Sequence, residues 1–183
     1  MLTRAYGESS QLGNLFTDAM LAAAPKAQIA LINSGSLRAD INAGSITFGD
    51  ITSTFPFKNE LTEMDLSGKD LRDLMEHGAS LTNGILQMSK GAEVRYVPQK
   101  PAGQRIVSFT INGKAIEDTA TYHVATTTFL ALGGDGFLAF KEGENVQVRA
   151  GHNMSDVVID YLKSGHKIVP QEVNEMRVAV SSK

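Results

Sequence analysis

Two amphipathic segments enclose a strand-rich middle region, and this order constrains the fold more than any other feature of the sequence. Apolar residues recur at steps of three and four over residues 12–24 and again over residues 155–163, which predicts a helix in each. Short strands are predicted over residues 29–32, 60–66, 85–89, 93–97, 105–111, 114–116, 122–127 and 173–180. Because strands and helices do not alternate regularly, we expect an α+β fold with mixed sheet layers flanked by helices.

Local signals predict the ends of further elements. Ser67 and Asp70 approximate a capping box, with aspartate where glutamate is usual, and apolar residues at helical spacing follow. His77 lies at the expected end of that helix, where the helix dipole favours a histidine, so we expect a structural role for it rather than metal binding. Residues 49–54 are expected to form one helical turn. The pair Asn112-Gly113 predicts a two-residue hairpin.

The composition excludes several classes of protein. A chain of 183 residues, 42% of them hydrophobic, can bury one sizeable core, so we expect a single domain. The net charge of −3 comes from interspersed charges without a broad basic face, so nucleic acid is not expected as a partner. No apolar run approaches the roughly 18 residues of a membrane span, and none is expected.

Cysteine usage and the N-terminus bear on the compartment. The chain has no cysteine, which excludes disulfides, thiolate zinc sites and cysteine nucleophiles and fits an oxidising compartment. The first residues lack the charged, apolar and small-residue sections of a signal peptide. We therefore expect either a cytoplasmic protein or a piece of a longer precursor.

A glycine-rich segment, F-L-A-L-G-G-D-G-F over residues 129–137, follows a β-branched run. Gly133, Gly134 and Gly136 permit positive φ and close approach of a ligand, so Asp135 is expected on an unusually shaped backbone. Two interpretations remain open for this segment. It either presents groups to a ligand or forms a tight turn between two strands, with Asp135 as the turn former.

A second loop of small residues, N-S-G-S-L-R over residues 33–38, follows a predicted buried strand. Exposed backbone N–H groups beside the Arg38 guanidinium would bind an anion through charge-assisted hydrogen bonds. The alternative is a surface arginine that pairs with Asp40. Further along, Pro56 is expected to direct Phe55 and Phe57 in different directions, with one in the core and the other exposed.

Signatures of a reaction centre are missing. The four histidines lie in separate segments, and no pair has the i, i+4 spacing of a helical zinc site. Neither a nucleophile elbow nor a phosphate-binding P-loop is present. From the residues alone, we therefore expect a binding module whose surface includes Arg38, one or more phenylalanines and Asp135.

The motifs taken together resemble a known family. The strings NSGSLRAD, TFPFKN and FLALGGDGF, with LGNLFTDA and SGKDLRDLMEHG, resemble in order and spacing the C-terminal domain of the 5′-nucleotidase family, which includes UDP-sugar hydrolases. The resemblance covers nearly the whole chain. It implies that residues 1–183 form a single nucleotide-binding domain. It also implies that a metallophosphoesterase domain, with two divalent metals and a catalytic Asp/His pair, precedes this domain and is absent from the chain.

The resemblance also assigns roles to individual residues. It implies that Phe57 and Phe129 sandwich the base, that Asp135 accepts hydrogen bonds from the ribose hydroxyls, that Arg38 holds phosphate, and that Asn59 contacts the base. The implied substrate-binding set also includes Asn33, Gly133 and Gly134. No catalytic or metal-binding residue is implied within this chain.

The function implied by the resemblance is substrate binding for a secreted or periplasmic, metal-dependent nucleotidase, with the isolated chain inactive. Nucleoside monophosphates, UDP-sugars, cyclic nucleotides and sulfur compounds all remain possible substrates. Ser34 and Ser36 replace glycines that are usual in the family, and Lys58 stands where glycine is common. Two alternatives remain open: a non-catalytic nucleotide- or nucleotide-sugar-binding module that acts with other partners, and an assembly element whose loops are structural.

Overall fold

The computed structural model describes residues 1–81 and 84–181, and it has helices distributed along a chain of short strands. The α-helices are α1 (Gln11–Ala23), α2 (Phe48–Thr54), α3 (Gly68–Gly78), α4 (Thr128–Ala131), α5 (Met154–Lys163) and α6 (Pro170–Val173). The strands are β1 (Ile29–Asn33), β2 (Glu60–Ser67), β3 (Leu86–Met88), β4 (Ala92–Tyr96), β5 (Ile106–Ile111), β6 (Lys114–Ala115), β7 (Thr121–Thr127), β8 (Glu144–Asn153) and β9 (Val178–Val180). Short 3₁₀ turns cover Ser34–Ser36, Gly134–Gly136 and Leu138–Glu142.

The strands form two mixed sheets. A five-stranded sheet has the order β3-β1-β7-β2-β8, and a four-stranded sheet has the order β6-β5-β4-β9. In the first sheet only the β1–β7 pair is parallel, and in the second only the β4–β9 pair is parallel. Two mixed sheets with flanking helices confirm the predicted α+β fold.

The five-stranded sheet separates two hydrophobic clusters. Along β1, Ile29 and Leu31 belong to one cluster and Ala30 and Ile32 to the other, as expected when successive side chains point to opposite faces. The first cluster contains apolar residues of α3, β4 and β5, whereas the second contains those of α1, α2 and α5. The sheet is therefore covered on both faces, which explains why all of β1 is buried.

The topology brings three distant segments to one edge of this sheet. Because β1 and β7 are parallel neighbours, the loops that follow them leave the sheet at the same edge. β2 runs antiparallel to β7, with Leu61 opposite Thr127, so the segment that enters β2 arrives there too. Ligand sites of open sheets commonly lie outside the carboxyl ends of parallel strands.

Several local predictions are confirmed. Ser67 caps α3, with both hydrogen bonds of the capping box to Asp70 present. The hairpin turn has Asn112 and Gly113 both at positive φ, 51° and 74°, as this turn type requires. The predicted helices at both ends agree with α1 and α5 to within two residues.

The predicted strand over residues 173–180 is wrong in its first half. Pro170 begins the short helix α6, and strand pairing starts only at Val178. The Asn14 side chain explains this, because it donates hydrogen bonds to the carbonyls of Val173 and Glu175 at 3.0 and 2.8 Å. These carbonyls are thus bonded to α1 and not to a neighbouring strand.

Strand β8 was not predicted. Most of it is exposed, including Val146 and Val148, so it lacks the alternation of buried and exposed residues that marks a strand in sequence. It pairs with β2 at the edge of the sheet and is held there by polar side chains. Among the described residues, no helix has both the length and the apolar character needed to cross a bilayer.

Candidate functional site

A cavity of about 300 Å³ lies at the edge of the five-stranded sheet where β1 and β7 end and β2 begins. Its lining residues are Asn33, Gly35, Ser36, Arg38, Phe57, Asn59, Phe129 and Asp135. Six of the eight predicted site residues are therefore brought together here. Gly133 and Gly134 do not line the cavity, and Gly35 and Ser36 were missed, although they belong to the small-residue loop singled out in the sequence.

The two predicted stacking residues are exposed. Phe57 retains 42% of its surface and Phe129 36%, whereas Phe55 retains 1%. Phe55 packs against Phe16 in the core. The Phe57 ring meets the Phe55 ring edge-on, with centroids 5.6 Å apart. This confirms that Pro56 separates a core phenylalanine from an exposed one. Two partly exposed aromatic rings at a cavity are available to a planar ligand.

The glycines shape the loop that carries Phe129. A Cβ atom on Gly134 would lie 2.5 Å from the Phe129 ring, so the ring can lie directly over the backbone only because residue 134 is glycine. Gly133 has φ 80°, a conformation that side-chain-bearing residues rarely adopt. Residues 128–142 form consecutive short helical turns, so the alternative of a tight turn directly between two strands is wrong.

Asp135 is held in a left-handed conformation with φ 53° and ψ 19°. The buried Asn33 side chain donates a hydrogen bond from Nδ2 to Asp135 Oδ2 at 2.7 Å, and Ser36 Oγ donates to Asn33 Oδ1. This chain of bonds links the two predicted loops. Among residues 1–81 and 84–181, none donates a hydrogen bond to Asp135 Oδ1, which leaves that oxygen able to accept from a ligand.

Arg38 is exposed at the other side of the small-residue loop. Its Nη1 donates to the Gly35 carbonyl at 3.2 Å, and no described carboxylate forms an ion pair with it. Asp40 instead accepts a hydrogen bond from the backbone N–H of Arg4 at 3.0 Å and lies 3.6 Å from the Arg4 guanidinium. The alternative of an Arg38–Asp40 pair is therefore wrong, and Arg38 keeps donors for an external anion.

Asn59, Ser34 and Ser36 have different surroundings. The two serines are those that replace glycines usual in the family. The Asn59 carbonyl accepts a hydrogen bond from the Met154 N–H at 3.0 Å, while its side-chain amide has no partner in the described part of the chain. Ser34 is buried and bonded to the Ile85 carbonyl and to Gln87, so it packs away from the cavity. Only Ser36 of the two serines reaches the cavity.

The described residues that line the cavity carry groups suited to binding a ligand. The cavity combines two aromatic faces, one cation, one carboxylate and one free amide. Aromatic faces stack on bases, an arginine fork matches phosphate, and a carboxylate accepts from vicinal hydroxyls. Within residues 1–81 and 84–181, no group of three or more His, Asp or Glu residues could hold a metal ion.

These features define a class of protein, a mixed-sheet α+β domain with a ligand cavity built from three loops. Residues 1–142 match the family model described as the 5′-nucleotidase C-terminal domain. The chain is 34% identical over 176 residues to a trifunctional nucleotide phosphoesterase of Bacillus subtilis, a match that covers 90% of this chain and 12% of that protein. It is 31% identical over 191 residues to an apyrase of Tabanus yao, covering 91% and 34% of the two chains.

A solved structure of a 5′-nucleotidase precursor also resembles this chain. The 5′-nucleotidase precursor of Thermus thermophilus superposes with a TM-score of 0.82 at 34% identity, over 96% of this chain and 36% of that one. The chain therefore belongs to the 5′-nucleotidase C-terminal domain family. It spans about a third or less of the length of these relatives.

Proposed function

We propose that this chain is the substrate-binding domain of a metal-dependent 5′-nucleotidase-type phosphoesterase. Phe57 and Phe129 hold the base, Asp135 accepts from the ribose hydroxyls, and Arg38 binds phosphate. The observation that carries this proposal is the convergence of three segments, far apart in sequence, on one cavity lined by these groups. The names of the relatives, a nucleotide phosphoesterase and an apyrase, support a nucleotide as the substrate class.

The proposed division of roles follows from the chemistry of each group. Stacking contributes about 1–3 kcal/mol per base and tolerates any base, so the phenylalanines supply affinity with little base discrimination. Asn59 Nδ2 or Oδ1 can contact the edge of the base, since its amide is free. Arg38 then orients the phosphate away from the stacked rings.

Catalysis belongs to a second domain in this proposal. The described residues do not fit a metal ion, so the two divalent metals implied by the family resemblance would be held by a preceding metallophosphoesterase domain. Such metals lower the pKa of a bound water and neutralise phosphoryl charge. The residues of this chain contribute position, because a correctly oriented phosphate reacts faster than a freely diffusing one. A secreted or periplasmic location is part of the proposal, and the Thermus relative is itself described as a precursor.

Titration of adenosine and AMP tests the proposal. We expect the 183-residue chain to bind both, and Phe129→Ala to bind roughly 5- to 150-fold more weakly, which corresponds to the loss of about 1–3 kcal/mol of stacking. Phe48→Ala is the matched control, because Phe48 is 61% exposed but lies outside the cavity. Isothermal calorimetry or NMR shift titration measures the affinities.

Two results would contradict the proposal. Absence of adenosine and AMP binding by the unmodified chain would favour an assembly element with structural loops. Equal binding by Phe129→Ala and Phe48→Ala would place the ligand elsewhere.

A further inference from the structure

His77, in the last turn of α3, contacts the glycine-rich loop. Its Nε2 lies 2.9 Å from the backbone carbonyl oxygen of Asp135. The ring packs perpendicular to that of the buried Phe137, with centroids 4.8 Å apart and an interplanar angle of 86°. A Cβ atom on Gly136 would lie 3.0 Å from Nε2. One imidazole therefore touches three consecutive residues of the loop.

The direction of the hydrogen bond follows from the acceptor. A carbonyl oxygen can only accept, so Nε2 carries the proton and donates to Asp135. Both the neutral Nε2–H tautomer and the imidazolium satisfy this requirement.

The two partners differ in how they are anchored. His77 lies in the last turn of α3, whose N-terminus is capped by Ser67 and whose apolar face is buried. Asp135 has a left-handed backbone with φ 53°, which costs energy for any residue other than glycine and persists only where the surroundings hold it. A capped helix thus donates to the carbonyl of Asp135, the one described non-glycine residue of segment 129–137 with positive φ.

We propose that His77 is a positioning residue for the Asp135 carboxylate. The bond to the Asp135 carbonyl holds the loop backbone, while Asn33 holds Asp135 Oδ2, and together they direct Oδ1 to the ligand. This inference rests on the proposed function, in which Asp135 accepts from ribose hydroxyls. It assigns specificity for the sugar to a residue that does not line the cavity.

The experiment compares two substitutions that differ in one donor. His77→Gln retains an N–H that can reach the same carbonyl, whereas His77→Leu has a similar volume and no donor. His152→Leu is the control, since His152 is exposed and, among the described residues, its side chain bonds only to Ala150 in its own strand. Each variant is titrated with adenosine and uridine and with their 2′,3′-dideoxy analogues. Thermal unfolding and amide hydrogen exchange of residues 134–137 are measured without ligand.

We expect His77→Leu to bind the ribonucleosides about 2- to 13-fold more weakly, the effect of one lost hydrogen bond, and to bind the dideoxy analogues as the unmodified chain does. Amide exchange in the loop should accelerate in this variant. His77→Gln and His152→Leu should retain both the ribose preference and slow exchange. If His77 had a merely structural role, His77→Leu would lose affinity equally for ribonucleosides and for dideoxynucleosides.

The outcomes separate the two proposals. Unmodified chain that binds none of these nucleosides would overturn the proposed function and this inference with it. If the unmodified chain prefers ribonucleosides and His77→Leu keeps the same preference, this inference alone would be overturned.

Discussion

Asp135 illustrates how one residue can be fixed by several neighbours and still offer an atom to a ligand. Its carbonyl accepts from His77, its Oδ2 accepts from Asn33, and its backbone is left-handed. The flanking glycines tolerate the same region of φ at little cost. The sequence indicated an unusual backbone here, but not which carboxylate oxygen would remain free.

Asp135→Asn is the sharpest test at this position. Asparagine tolerates the left-handed conformation and can still accept from Asn33, so the unfolding free energy should change little. It replaces the free carboxylate oxygen, so adenosine should bind about 10- to 150-fold more weakly, equivalent to a charged hydrogen bond of about 1.5–3 kcal/mol. Calorimetric titration measures the change.

Asp118→Asn is the control for the loss of one negative charge, because Asp118 is exposed and pairs with Arg72. If the dideoxy analogue lost as much affinity as adenosine in Asp135→Asn, the ribose-acceptor role would be excluded.

At the scale of elements, the C-terminal segment is attached by a buried ion pair. Arg177 is 1% exposed and donates to both carboxylate oxygens of Asp18, in α1, at 2.7 and 2.9 Å. It also bonds to Glu175 at 2.7 Å. The pair ties the turn before β9 to the first helix, across 159 residues of sequence.

Arg177→Met should destabilise the chain by about 3–5 kcal/mol, because it leaves the Asp18 charge buried without its partner. The control is Arg72→Met, which breaks an exposed pair and should cost less than about 1 kcal/mol. Urea unfolding followed by circular dichroism gives both values. Equal small losses would mean that the other contacts of the C-terminal segment hold it without the ion pair.

Strand β8 is attached to β2 by backbone pairing and by polar side chains. Glu63, buried in β2, pairs with Arg149 of β8 at 2.5 Å and lies 3.2 Å from His123 Nε2. Asp65 accepts from Asn145 of β8 at 2.7 Å and lies 2.6 Å from His123 Nδ1. The hydrogen bond with His123, and then that from Asn145, holds the pKa of Asp65 below its ordinary value of 3.8.

A pH dependence of stability follows. Because the pKa of Asp65 is lowered on folding, its contribution to stability is fully present above its ordinary pKa of 3.8, which applies to the unfolded chain, and is lost as the pH falls through the folded-state pKa. Unfolding free energies from pH 6 to pH 3 should therefore fall less steeply for Asp65→Asn than for the unmodified chain. The exposed Asp160, which accepts no hydrogen bond at its side chain from the described residues, provides the Asp→Asn control. Parallel profiles for all three proteins would contradict this.

At the scale of the whole molecule, the proposed function assigns binding to this domain and catalysis to another. We expect the 183-residue chain to release no phosphate from AMP in the presence of Mg²⁺, Mn²⁺, Co²⁺ or Zn²⁺, because its described residues include no group of three or more His, Asp or Glu that could hold a metal ion, and Asp135 is the one carboxylate among the residues that line the cavity. A colorimetric phosphate assay with each metal makes the measurement, and adenosine binding by the same sample verifies that the domain is folded. Metal-dependent phosphate release would contradict this division.

Much of the fold could be predicted because its signals are local. The capping box of α3, the Asn112-Gly113 hairpin and the amphipathic pattern of α1 each depend on residues within a few positions of one another. Elements whose stability comes from distant partners could not be predicted in this way. α6 depends on Asn14, and β8 on side chains of β2.

The candidate site divides in the same way. By itself, the sequence determined which residues are candidates for ligand binding: Arg38, Asn59, two phenylalanines and a carboxylate among glycines. Only the tertiary structure decided that they line one cavity, because the parallel pairing of β1 with β7 and the antiparallel approach of β2 bring their loops to one edge. It also decided that the Phe129 ring lies over Gly134 and that His77 contacts the Asp135 carbonyl. The His77–Asp135 contact joins residues 58 positions apart, and the Phe129–Gly134 contact depends on a ring lying over the backbone. No local sequence pattern encodes either contact.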